Sequence, residues 1–316
     1  MGQMARSMAR QVQSAGCFSE CSGCGAGIRG WSDVVKIEPG MVAVVTGAGS
    51  GIGRALAEHA ARQGMVVVAA DVEAATLDRA VEEIVREGGQ AIGIQTDVSV
   101  AEEVERLAVT VWSRFGGVQL LCNNAGVFSG GLLWERSLAD WEWVLGVNFY
   151  GMVNGVRSFV PRMLAAGTPA HIVDTASMGG LVTAAYSGPY FSSKFAAVGF
   201  TECLAHDLRA TDAPIGVSLL VPSLVATGLA DSRRNRPEGA TDHGTELKPD
   251  EEFVLAAMKD AIGGAGMPPT EVAALVFDAV EHDRFWIPTK PSYHDQIRTR
   301  HESMQSLSLP PGPELD

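Results

Sequence analysis

From residue 41 onward the chain alternates short apolar runs with longer stretches whose apolar residues recur at helical spacing. The pattern reads as strand 41–45, helix 53–63, strand 65–70, helix 74–87, strand 91–95, helix 101–114 and strand 118–122. Helix-like sequence follows over 140–164, then strand 171–175, helix 190–209 and strand 215–221. A last helix at 270–282 leads into a short strand at 284–287. Strands that alternate with helices of this length imply a parallel sheet covered on both faces and joined by right-handed crossovers. The expected fold is therefore α/β, a doubly wound parallel sheet of about seven strands in a single domain over residues 38–290.

Two regions depart from this rhythm. Residues 228–268 are polar and turn-rich around Arg233, Arg234 and Arg236, with a helix expected at 251–262. They read as a mobile lid that decides specificity, the three arginines forming a solvated loop face. The tail 291–316 holds a short helix ahead of Pro310. Residues 1–37 read as a disordered extension. Arg6 and Arg10, with no acidic residue before Glu20, also fit a mitochondrial transit peptide, though its apolar face is weak. Cys17, Cys21 and Cys24 have a spacing that can hold an iron–sulfur cluster or zinc, but a fourth ligand and a matching fold are missing, so they are read as chance and no metal is expected.

Composition narrows the partners. The net charge of −13 repels nucleic acid and anionic lipid. No apolar run has the length of a membrane span. Five cysteines, an odd number without a secretory pattern, fit reduced thiols and a cytoplasmic setting.

The first strand runs into Thr46-Gly-Ala-Gly-Ser-Gly-Ile-Gly53, which opens the first helix. Glycines allow a tight turn and close approach to a pyrophosphate, which the helix N-terminus then binds. Asp71 ends the second strand, where a carboxylate can accept hydrogen bonds from ribose hydroxyls. The same carboxylate repels a 2′-phosphate, and neither Ser50 nor Val72 offers a cation to offset it. This predicts NAD over NADP.

Further motifs follow in order: Asn123-Asn-Ala-Gly126 after the fourth strand, Asn148, Ser177 at the end of the fifth, Tyr190 and Lys194 as Y-x-x-x-K, and Pro222-Ser-Leu-Val-Ala-Thr227. With Thr46-Gly47-x-x-x-Gly51-x-Gly53, the set resembles the shorter-chain subgroup of the short-chain dehydrogenase/reductase family, across residues 38–290. The resemblance implies a Rossmann-type fold and a Ser177, Tyr190, Lys194 and Asn148 tetrad. It implies cofactor contacts from Gly47, Ser50, Gly51, Ile52, Gly53, Asp71, Asp97, Val98, Asn124, Ala125, Gly126, Tyr190, Lys194, Pro222, Val225 and Thr227. It places Val127, Phe128, Gly179, Leu181, Tyr186, Leu224 and Leu229 on the substrate wall. These are mostly apolar, which favours a hydrophobic secondary alcohol or ketone. Ser223 replaces the family's usual glycine, and Asp174 stands where many relatives carry asparagine.

The chemistry follows from residue type. A ketone reduction needs a hydride on carbon and a proton on oxygen. Tyr190 is the expected proton donor and acceptor, although a free tyrosine, with a pKa of about 10, is a poor base near neutrality. Lys194 lies one helical turn on, and its charge favours tyrosinate by about 4 kcal/mol at about 4 Å and a dielectric near 20, before screening. Ser177 would hydrogen-bond the substrate oxygen as negative charge grows there. By resemblance, Lys194 also binds the nicotinamide ribose, Asn148 holds a water that links Lys194 to solvent, and the chain forms a homotetramer or dimer. Other readings on this fold are an epimerase or dehydratase, which usually carries another glycine spacing, and a non-catalytic NAD-binding regulator, which tends to lose the tyrosine or lysine kept here.

Overall fold

The structure, a computed structural model, describes residues 35–237, 247–290 and 293–312. The extension with Cys17, Cys21 and Cys24, and part of the expected lid, lie outside these residues. Seven strands form one parallel sheet in the order β3-β2-β1-β4-β5-β6-β7. They are β1 (Val42–Thr46), β2 (Val66–Asp71), β3 (Gln90–Gln95), β4 (Leu120–Asn123), β5 (Ala170–Thr175), β6 (Ile215–Val221) and β7 (Trp286–Pro288). The helices are α1 (Gly51–Arg62), α2 (Ala74–Arg86), α3 (Ala101–Phe115), α4 (Leu138–Leu145), α5 (Gly151–Ala166), α6 (Gly188–Ala210), α7 (Pro249–Ala265), α8 (Pro269–Glu281) and α9 (Tyr293–Gln305).

Both faces of the sheet are buried, so its central strands are mostly apolar on both faces rather than alternating, with Asn123, His171 and Asp174 among the buried polar exceptions. The period of two still decides which face each residue serves. Ala43 and Val45 of β1 pack with Leu56 of α1 and with Val276 and Phe277 of α8. Val42 and Val44 point the other way, onto Leu107 of α3 and Phe159 of α5. His59 of α1 stacks on Phe277 of α8 with ring centroids 4.3 Å apart. A one-residue slip of β1 would exchange its two faces.

The stretch expected as one helix over 140–164 is three joined pieces. Ser137 caps α4: its hydroxyl accepts from the Asp140 N–H at 3.2 Å, and the Asp140 carboxylate accepts from the Ser137 N–H at 2.9 Å. Between α4 and α5 the ladder widens into a π turn, Gly146–Tyr150. Such wide turns concentrate at functional sites. In the region expected as a lid, a 3-10 segment runs over Leu229–Asn235, and α7 begins at Pro249. Among the described residues, no helix is long and apolar enough to cross a membrane, and no cluster of His, Cys, Asp and Glu could hold a metal ion.

Candidate active site

The strand order reverses between β1 and β4, both hydrogen-bonded in register near Val44 and Leu121. Ligands of open α/β sheets sit at the carboxyl edge of such a reversal. A cavity of about 620 Å³ opens there.

At one end lies the glycine turn. Gly47 and Gly51 have φ of +66° and +55°, a left-handed backbone that other residues rarely adopt. A side chain on Gly47 would also press on Ala125 Cα at 2.9 Å. Ser50 caps no N–H with its side chain, and the first turn of α1 holds no acidic residue, so its amides suit an external anion. The Asp71 carboxylate accepts from the N–H groups of Gly49 (2.8 Å) and Glu73 (2.9 Å). Burial pushes its pKa up, against those two bonds. Gly47, Ser50, Gly51, Ile52, Asp71, Asp97, Val98, Asn124, Ala125, Gly126, Pro222, Val225 and Thr227 all line the cavity. This cradle of backbone amides, glycines and one carboxylate fits a dinucleotide. Gly53 does not reach the wall. It sits within α1, where a side chain would collide with the Gly47 carbonyl, so its part is close packing.

Thr46, which the motif includes without a role, ties this end together. Its hydroxyl donates to the Cys122 carbonyl at 3.3 Å and accepts from the N–H groups of Asn124 (2.9 Å) and Ala125 (3.1 Å). The Asn124 amide donates back to the Thr46 carbonyl at 3.0 Å.

Ser177, Tyr190 and Lys194 line the middle of the same cavity. The Lys194 ammonium is 5.7 Å from the Tyr190 ring centre and donates to the Thr175 carbonyl at 2.9 Å. Burial lowers its pKa to about 8, with Asp174 pulling the other way. The Ser177 hydroxyl accepts from the Gly179 N–H at 3.1 Å. The Phe128 ring leans on Tyr190 with centroids 5.2 Å apart.

Asn148 is fully buried in the π turn. Its Oδ1 accepts from the Val127 N–H at 2.7 Å, and its Nδ2 donates to the Val127 carbonyl (2.9 Å) and to Ser193 Oγ (3.0 Å). A side chain at Gly126 would meet Asn148 Oδ1 at 3.5 Å and Lys194 Nζ at 3.6 Å, which places the two groups around one point. Both donor bonds of the Asn148 amide thus go to protein groups, and the side chain ties the cavity wall at Val127 to the helix that carries Ser193 and Lys194.

Asp174 acquires an account as well. Its carboxyl accepts from Asn123 Nδ2 and meets Thr201 Oγ1, both at 2.9 Å. The Thr201 hydroxyl also lies 2.9 Å from the Ala197 carbonyl, and it has one proton to give. It can turn to an ionised Asp174, or to Ala197 while a protonated Asp174 donates to it. Burial pushes Asp174 up to about 6, opposed by Asn123, Thr201 and Lys194.

Of the residues expected on the substrate wall, Val127, Phe128, Gly179, Leu224 and Leu229 line the cavity. Leu181 and Tyr186 do not. Leu181 packs into the cluster of Met152, Val198 and Leu219. Tyr186, at φ 63°, is turned outward onto Phe253, ring centroids 5.5 Å apart. Sequence reasoning missed Trp143 and Val147, and the α7 face of Val254, Ala257, Met258, Ala261 and Ile262. The three- and four-residue spacing of that face was the available signal.

The arginines of the expected lid are a correction in part: Arg236 turns inward and Arg233 is half-buried, whereas Arg234 stays exposed, and all three meet carboxylates. Arg236 pairs with Asp140 at 2.7 Å, Arg233 with Glu251 at 3.4 Å and Arg234 with Glu73 at 2.7 Å. Arg136, nearly fully buried, pairs with Asp250 (3.1 Å) and Glu251 (2.5 Å) and pins the start of α7.

This glycine turn, carboxylate and Tyr–Lys pair on one doubly wound sheet define a dinucleotide-dependent oxidoreductase architecture. Residues 41–238 match the model of the short chain dehydrogenase family, and the chain belongs to the short-chain dehydrogenase/reductase family. It is 43% identical to a family member from Burkholderia phymatum crystallised in complex with NAD, with a TM-score of 0.86 over 89% of this chain and 99% of that one. It is 36% identical to 1-deoxy-11-beta-hydroxypentalenate dehydrogenase of Streptomyces exfoliatus, over 85% of this chain and 90% of the relative. A metagenomic short-chain oxidoreductase in complex with NADP is 27% identical, with a TM-score of 0.62 over 80% of this chain and 97% of that one.

Proposed function

We propose that the protein is an NAD-dependent oxidoreductase that interconverts a hydrophobic secondary alcohol and its ketone. The observation that carries this reading is a single cavity lined by the α1 glycine turn, Asp71, Ser177, Tyr190 and Lys194. A nicotinamide dinucleotide bound there supplies or takes the hydride. The side chains do the rest. In the oxidation direction Tyr190 Oη takes the hydroxyl proton of the substrate, and in reduction it returns that proton to the carbonyl oxygen. The buried Lys194 cation favours the ionised tyrosine, and its position under Gly126 lets it hold a ribose hydroxyl at the same time. Ser177 donates to the substrate oxygen, a bond that strengthens as charge develops. Asn148 is a positioning residue: it fixes Val127 and Ser193, and through them the wall and the Lys194 turn.

The apolar α7 face, with Phe128, Trp143 and Leu224, supports an uncharged hydrocarbon framework around the reacting carbon. The 1-deoxy-11-beta-hydroxypentalenate dehydrogenase of Streptomyces exfoliatus, named for a hydroxylated substrate, is in keeping with chemistry at an alcohol. Asp71 supports NAD, since its carboxylate would oppose a 2′-phosphate. Titration with NADH, read by fluorescence, followed by turnover on a panel of hydrophobic secondary alcohols, tests the proposal. Binding with turnover supports it. Failure to bind either reduced dinucleotide would overturn it.

A further inference from the structure

Asp71 puts a carboxylate at the adenosine end of the cavity, and Glu73, two residues on and outside the lining, adds a second nearby, yet a cation stands beside them. Arg234 comes from the lid, far along the chain, and its side chain lines the same cavity as Asp71, Val72, Ser50 and Gly51. Its Nε donates to Glu73 Oε1 at 2.7 Å, and its Nη1 donates to the Asp231 carbonyl at 3.0 Å. The guanidinium is thereby held between the lid and the β2–α2 turn. Glu73 in turn donates its N–H to Asp71 Oδ1 at 2.9 Å, so one short turn links the cation to the ribose-facing carboxylate. Arg234 also acts electrostatically on Asp71.

We propose that Arg234 is a dinucleotide-binding and selectivity residue contributed by the lid, and that Glu73 sets how much of its charge the cofactor feels. This rests on the reading that the cavity binds a nicotinamide dinucleotide. The phosphates of that ligand are anionic, and a 2′-phosphate next to Val72 adds up to two further negative charges. Two carboxylates without Arg234 would repel them. With Arg234 the local negative charge falls by one, while the Glu73 ion pair keeps the guanidinium partly neutralised. The site then favours NAD and still tolerates the 2′-phosphate form weakly.

This differs in sign from a purely mechanical strap. If the pair only tied the lid down, breaking it from either side would have the same effect. If Arg234 acts by its charge, the two sides act oppositely. Arg234→Ala removes the cation and should weaken NADPH binding more than NADH binding. Glu73→Gln removes an anion and frees the cation, and should strengthen NADPH binding relative to NADH. For a partly exposed ion pair each shift in the NADPH-to-NADH ratio of dissociation constants is about fivefold, and it shrinks in high salt.

The experiment is fluorescence titration of the full-length wild type and both variants with NADH and with NADPH, at low and high ionic strength. Circular dichroism confirms that each variant is folded. Opposite, salt-sensitive shifts of the ratio in the two variants are expected. Equal shifts, or none, while wild type binds NADH normally would overturn the role given to Arg234. Absence of NADH binding to the folded wild type would instead overturn the dinucleotide reading itself.

Discussion

Asn148→Ala isolates the part of the site that a sequence motif describes least. The Asn148 side chain makes three hydrogen bonds while having no exposed surface. Truncation leaves the Val127 N–H and carbonyl without their partner in a buried wall. Ser193 loses one donor, but its hydroxyl keeps its own bond to the Tyr190 carbonyl at 2.7 Å. An unsatisfied buried backbone group costs about 1–3 kcal/mol, so the two Val127 groups together cost about 2–6 kcal/mol. Urea unfolding followed by circular dichroism reads this loss. Asn148→Asp keeps the shape but replaces both donors with an acceptor, and should lose stability in the same direction. At a temperature where either variant stays folded, kcat should fall more than KM changes, because the Lys194 turn is loosened while the cofactor cradle stays intact. A stability loss under about 1 kcal/mol, with unchanged kcat, would refute the clamp and return Asn148 to a passive place in α4–α5.

Other expectations are shorter. Gly53→Ala forces a methyl group into the Gly47 carbonyl, and should abolish NADH binding, read by fluorescence, rather than alter the substrate step. Arg136→Met leaves Asp250 and Glu251 without their buried cation, a change that costs about 3–5 kcal/mol when one partner of such a pair is lost. It should free α7, seen as faster proteolysis near that helix and a raised KM for apolar substrates. Asp174 gives a pH test. Its folded pKa is raised from 3.8 to about 6, so its contribution to stability is fully present below the lower value and is lost as pH rises through about 6. Asn at this position can still accept from Asn123 and can donate to Thr201, which turns its proton to Ala197. Asp174→Asn should therefore become more stable relative to wild type as pH rises across that window, measured by urea midpoints at either end. A constant difference would refute the assignment.

Most of the fold was legible because both faces of the sheet are covered. β1 and β2 then read as apolar runs up to their last residue, β6 as one interrupted only at Ser218, and the helices between the strands carry their apolar residues at regular spacing. Boundaries shifted where tertiary contacts override local pattern. α6 begins at Gly188, two residues before the tyrosine from which its pattern reads, and the π turn around Asn148 has no signature in spacing. The glycine turn and Asp71 at the cavity were legible because glycine and a strand-end aspartate have few other reasons to stand where they do. The substrate wall was less so. Tyr186 is aimed by a single backbone angle, which residue type does not reveal. Arg234 reaches Glu73 across 161 residues, and no local pattern encodes such a pairing.

The most direct test of the account is the absorbance of reduced nicotinamide formed from NAD and hydrophobic secondary alcohols, in wild type and in Tyr190→Phe, each first shown to bind NADH. The account predicts turnover by wild type, with NAD preferred to NADP, and its loss in the variant while NADH binding persists. Turnover that survives the loss of the Tyr190 hydroxyl would contradict it.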